Sequence, residues 1–204
     1  IINRSLPNDR IDIEAIDQKI HDHGVSPALD DHCGRFLTFR KLIECGETQE
    51  QLGLSNLPKQ PESYGALRKL ALDVLDPVIE EYGMIKLTYG FSSAELARAI
   101  PARIAPKLDQ HAAYELNRRR LPICSRLGAA VDFIVEYESM LEVAQWVVKN
   151  CPFDRLYYYG DDRPIHVSVG PESQRVVVLM KLRSDGREGP QKIVIDKFFQ
   201  LPST

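Results

Sequence analysis

The residues at 128–135, Gly-Ala-Ala-Val-Asp-Phe-Ile-Val, form an apolar run with one carboxylate, Asp132, set inside it. Such a run reads as a buried strand, and a charge within a buried strand needs a partner. A metal ion is one partner that satisfies it; a salt bridge to one of the nearby arginines is the other. Two histidines, His111 in Asp-Gln-His and His166 in Ile-His-Val-Ser, stand in short patterns of their own. Neutral imidazoles and a carboxylate are the ligand types that hold a catalytic zinc while leaving its fourth position to water. Taken singly, such residues occur in any chain of this size, so the case for a site rests on where the three fall.

Around that run the chain divides into a polar, turn-rich beginning, a helical middle and a strand-rich end. Leu67, Leu70, Ala71, Val74, Leu75, Val78 and Ile79 recur at three- and four-residue spacing, which predicts an amphipathic helix over 63–82, stopped by Gly83 and open to a kink at Pro77. Phe36 to Ile43 reads as a short helix entry, and Leu54 to Pro58 as a loop. Ile85 to Gly90 alternates like a strand, and Ser92-Ser93-Ala94-Glu95 resembles a helix cap. Met140 to Asn150 forms a second amphipathic helix, followed by strands at Leu156–Tyr159, His166–Val169, Arg175–Leu182 and Lys192–Phe199. Helices first and adjacent strands later, joined by short turns, imply an α+β domain with an antiparallel sheet packed against helices. The division expected is an amino-terminal extension at 1–34 and one domain at 35–204.

Composition narrows the classes. With 204 residues, 44% of them hydrophobic, the chain can bury one sizeable core. The net charge of -3 gives no general affinity for nucleic acid or acidic membranes, although local charge acts on its own. No apolar run approaches the roughly 20 residues that span a bilayer, and no signal-like segment opens the chain, so a cytoplasmic location is expected. Cys33, Cys45, Cys124 and Cys151 lack a C-x-x-C spacing. Free, mostly buried thiols are the preferred reading, with disulfides still formally open. A further candidate ligand cluster, Asp30-Asp31-His32-Cys33-Gly34, has no histidine at i+3 or i+4.

A longer pattern links these pieces. Phe36-Leu37-Thr38 with Leu42-Ile43, Leu54, Asn56 and Pro58, Leu75-Asp76-Pro77-Val78, Gly83 and Thr88-Tyr89-Gly90-Phe91-Ser92-Ser93 come first. Gln110-His111, Gly128-Ala129-Ala130-Val131-Asp132, Pro152-Phe153-Asp154 and His166-Val167-Ser168 follow. In that order, over roughly residues 35 to 182, the chain resembles the zinc D-Ala-D-Ala carboxypeptidases and phage-type murein endopeptidases. The resemblance implies the Hedgehog/DD-peptidase fold, with Zn2+ held by His111, Asp132 and His166. It also implies cleavage of an amide bond in cell-wall peptides by metal-activated water. An acidic or imidazole side chain shortly before the last ligand would move the proton, and Asp161 and Asp162 are the acids in that stretch. The alternative for Gly160 to Pro164 is an acidic β-turn. Counting forward from Pro152-Phe153-Asp154, the family's acid falls near Tyr159, so either aspartate requires a slip of one or two residues.

Two departures bear on the substrate. Where relatives carry an arginine for the substrate carboxylate, this chain has Ser92, and residues 112–127 intervene between the first two ligands. From 98 to 126, seven cationic side chains stand against two carboxylates, Asp109 and Glu115. If they face the metal, the substrate is anionic, such as a murein peptide, with Ser92, Arg103 and Arg126 as candidate binding residues. Arg118 to Arg120 fit a solvated helical face equally well. A second function class remains open: a non-peptidase metal or anion site that binds a nucleotide or nucleic acid. In the tyrosine run 157–159, strand alternation turns Tyr158 away from its neighbours. The His-Ala-Ala-Tyr-Glu segment lacks the second histidine of a helical metalloprotease motif.

Overall fold

The computed structural model describes residues 26–100, 108–182 and 186–202. Two short helices, α1 (Phe39–Ile43) and α2 (Glu47–Leu52), precede the long helical segment. That segment begins at Pro61, whose fixed φ suits a first helical turn. It runs as α3 (Pro61–Leu70), passes through a π-helical stretch, Ala71–Leu75, and continues as α4 (Asp76–Tyr82). The widened turn lies just ahead of Pro77, which has no amide hydrogen to give the α-helical ladder. Gly83, at φ 85°, ends it. Buried Asp76 accepts the amide of Arg35 at 2.7 Å and fastens the entry loop to the helix.

Strand β1 (Lys86–Tyr89) and helix α5 (Ala94–Ala99) follow, the latter capped by the Ser93 side chain, which accepts the Leu96 amide. Then come β2 (Ala129–Ile134), α6 (Met140–Asn150), β3 (Arg155–Tyr158), β4 (Ile165–Val169), β5 (Val176–Leu182), β6 (Glu188–Ile193) and α7 (Ile195–Phe198). The α+β class holds. The six strands lie in the order β1-β2-β4-β3-β5-β6.

The sheet is mixed, which corrects the antiparallel expectation. β3 pairs with β5 in parallel, and the other neighbours are antiparallel. The reason is steric occupancy: β2 and β3 already flank β4, so the chain leaving β4 reverses and takes the free edge of β3. Running opposite to β4, it necessarily runs with β3. The strand expected over Lys192–Phe199 is also corrected, because β6 stops at Ile193 and α7 begins at Ile195. Ile195 and Phe198, three apart, both turn onto the core, a helical spacing within a short apolar run.

One face of the sheet presents Val131, Phe133, Leu156, Ile165, Val167 and Val177 to the helices, where Leu67, Leu70, Val74, Val78, Val143 and Val147 complete the core. α3 packs on β2 and β4, and α6 on β3. Cys33 is fully buried in this core and Leu29 packs against it, so packing begins within the segment read as an extension. All four cysteines are free thiols, three of them buried. No helix among the described residues is long and apolar enough to cross a membrane.

Candidate metal centre

The face of the sheet away from the helices carries the polar residues. Asp132 of β2 stands directly opposite His166 of β4, and Val131, Phe133, Ile165 and Val167 beside them point into the core. A period of two therefore turns both polar side chains outward together. Tyr89 pairs with Asp132 and Tyr157 with His166, extending the row across four strands.

His111 arrives from a separate segment, the 3-10 turn Gln110–Ala112. The Asp109 side chain caps this turn, accepting the His111 amide at 3.0 Å. Ala113, at φ 46°, ends the turn, so the helical metalloprotease arrangement is absent here. The Gly90 carbonyl lies 2.7 Å from His111 Nδ1, and Tyr89 packs its ring 4.4 Å from the imidazole. A carbonyl only accepts, so Nδ1 carries the hydrogen and Nε2 keeps its lone pair when the ring is neutral.

The three side chains meet. His111 Nε2 lies 3.2 Å from Asp132 Oδ1 and 3.1 Å from His166 Nδ1, and His166 Nδ1 lies 2.8 Å from Asp132 Oδ1. Ligand atoms at zinc bond lengths of about 2.0–2.1 Å in a tetrahedron stand about 3.3 Å apart. The observed triangle is close to that, and its two imidazoles and one carboxylate match the donors zinc takes. His111 is buried, whereas the Asp132 and His166 side chains keep 27% and 12% exposure, so the triangle is open on one side. Among the described residues this is the one group of three or more such side chains placed to hold a metal ion. The Asp30–Gly34 cluster uses its groups otherwise: Asp30 pairs with Arg40, and the Cys33 thiol donates to the Leu37 carbonyl.

Proximity perturbs the acidities. Burial of His111 opposes its charge, but the Asp109 and Asp132 carboxylates and the Gly90 carbonyl outweigh it and push the pKa up to about 9. Burial likewise opposes the charge of Asp132, yet His111 and His166 hold its carboxyl well below the usual range. The Tyr159 phenol is pushed up by burial, then by Asp132, Tyr157 and Asp109, which places it within the field of the cluster.

The remaining expected site residues are dispersed. Asp161 Oδ1 accepts the Ser139 hydroxyl at 2.7 Å and the Leu141 amide at 2.8 Å, at the start of α6. Asp162 is exposed in the following turn. Ser92 is buried, its amide donating to the His111 carbonyl at 2.9 Å. Arg126 Nη1 donates to the Leu108 carbonyl at 2.8 Å, tying the end of the inserted segment to the residues that lead into His111. Arg103 lies outside the described residues. Arg118, Arg119 and Arg120 are exposed at the tip of a tight turn, not on a helix: Leu116 bridges Pro122, and Asn117 Oδ1 accepts the amides of Arg119 and Leu121. The tyrosines separate as strand alternation requires, Tyr157 meeting the His166 ring at 5.1 Å and Tyr158 the Phe198 ring at 6.2 Å.

No protein-family model, curated protein or solved structure matches the chain. Sequence reasoning missed three contributors, the Gly90 carbonyl, Asp109 and Gln110. Asp109 and Gln110 immediately precede His111, and an aspartate two residues before a histidine in a turn is a capping signal that was available.

Proposed function

We propose that this chain is a metal-dependent hydrolase of amide bonds, with zinc held by His111, Asp132 and His166, akin to the D-Ala-D-Ala carboxypeptidases and murein endopeptidases. The single observation that carries the reading is the convergence of three side chains from separate segments into one triangle with edges of 2.8–3.2 Å. Zinc bound there would polarise a substrate carbonyl and make water nucleophilic near neutral pH. The chain's own residues do the rest. The Gly90 carbonyl fixes the His111 tautomer. Asp109 stands 3.9 Å from His111 Nε2, and in this reading it accepts the water proton and returns it to the leaving amine. Asp161 is occupied at the helix start, and exposed Asp162 is the competing acid.

Zinc content and release of products from murein peptides test this together. His111→Ala, Asp132→Ala and His166→Ala should each lose metal and turnover in parallel, and full turnover by a metal-stripped sample would sink the reading. Asp109→Asn should lower kcat at least about 100-fold with zinc retained, the scale of a lost general base; the same loss in Asp162→Asn instead would move the role there.

A second reading, binding of a polyanion such as nucleic acid without amide cleavage, is favoured by the arginine tip. Its three guanidiniums are exposed and have no ion-pair partner among the described residues. Such binding weakens steeply as salt rises, whereas cleavage of a small peptide does not. Absence of binding to nucleic acid and nucleotides at low salt removes this reading.

A further inference from the structure

One buried side chain touches all three segments that supply the proposed ligands. Gln110, 1% exposed, precedes His111. Its Nε2 donates to the Leu127 carbonyl at 2.8 Å, just ahead of the strand that bears Asp132. Its Oε1 accepts the Ser168 hydroxyl at 2.8 Å, two residues beyond His166. The same Nε2 donates to Asp154 Oδ2 at 3.0 Å, and Asp154 Oδ1 accepts the Gln174 amide at 2.9 Å, anchoring the amide to the β3–β5 side of the sheet.

We infer that Gln110 is a positioning residue for the metal centre, a clasp whose two amide ends set the distance between His111 and the Asp132–His166 strand pair. The inference rests on the metal reading above. The chemistry of the clasp is specific: a primary amide offers a donor and an acceptor on one planar group at any pH, with no proton to gain or lose. The site around it is also tight. A Cβ on Gly170 would lie 2.8 Å from Gln110 Nε2, and one on Gly128 would lie 1.9 Å from the Val169 carbonyl oxygen, so backbone encloses the amide without slack. A shift of the 3-10 turn that carried His111 away from Asp132 would therefore also break these bonds.

Outer residues that orient ligands are worth about 10–100-fold in metal affinity. Gln110→Glu should lose that much for zinc, because a carboxylate oxygen would replace Nε2 against the Leu127 carbonyl and the Asp154 carboxylate. Gln110→Glu with Asp154→Asn restores one donor–acceptor pair and should recover part of the loss. Zinc affinity is read by chelator competition, and ligand geometry by the visible spectrum of the cobalt(II)-loaded protein, both well below the melting temperature of each metal-free variant. Lowered affinity with an altered cobalt spectrum in the folded variant supports the clasp. Wild-type affinity and spectrum in a variant that merely melts earlier overturns it. If neither glutamate variant folds, Ser168→Ala, which deletes the donor to Oε1, decides by the same two readouts. A wild-type chain that binds neither zinc nor cobalt(II) overturns the metal reading itself, and the clasp with it.

Discussion

The side chains of the proposed metal centre depend on the groups around them. His111 is the clearest case: its reactive nitrogen is defined by a backbone oxygen, and its acidity by Asp109 and Asp132. A pKa raised from 6.5 to about 9 has a definite sign. In the metal-free protein it contributes stability fully present below pH 6.5, and that contribution is lost as pH rises through about 9. Zinc at the proposed centre would compete with that proton, so affinity should climb about tenfold per pH unit from neutrality toward 9. Chelator competition across that range checks it; a flat profile would mean that His111 binds no proton that the metal displaces. The three candidate ligands were legible because imidazole and carboxylate are chemically conspicuous. Beyond the capping signal of Asp109, the roles of Asp109 and Gln110 were not, since a polar residue in a turn looks the same whether it faces water or a buried bond.

Helices and strands locate these residues, and their ends carry much of the stability. Asp161 Oδ1 satisfies the start of α6, so Asp161→Ala should cost about 1 kcal/mol in urea unfolding. Loss of turnover at unchanged stability would instead give it a chemical role. Glu115 is the second case, a buried carboxylate whose Oε1 accepts the Lys59 and Gln60 amides and the Ser63 hydroxyl. Glu115→Ala leaves three donors unmet and should cost roughly 3 kcal/mol by the same measurement. The long helix was legible through its spacing, as was the strand of Asp132 through its apolar run. The final turn at Ile195–Phe198 was not, because two apolar residues three apart are too few to declare a period. The arginines at 118–120 are solvated, but the turn that carries them could not be told from a helical face for a related reason: consecutive charges carry no periodicity, and the Asn117 side chain that folds them back is one uncharged amide.

At the scale of the molecule, period-two patterns announce strands without naming their partners, so the parallel pairing of β3 and β5 could not be read from the chain. The α+β class could, since helices precede a cluster of strands. Just ahead of β2, Gly128, with a φ of 90° and no side chain, lets the Val169 carbonyl of β4 approach closely at the end of the β2–β4 ladder. Gly128→Ala should lower stability by at least about 2 kcal/mol and weaken zinc binding together, as unfolding curves and metal titration will show. Unchanged values of both would mean the strands can part there without consequence.

Because Asp132 and His166 sit face to face in adjoining strands, gain or loss of a single residue within either would swing one of them through the sheet into the hydrocarbon interior. The exposed tip from 117 to 121, beyond the bridge between Leu116 and Pro122, is under no such parity. Descendants of this chain are thus free to lengthen or trim that finger, while the two strands beneath it are fixed in length to the residue.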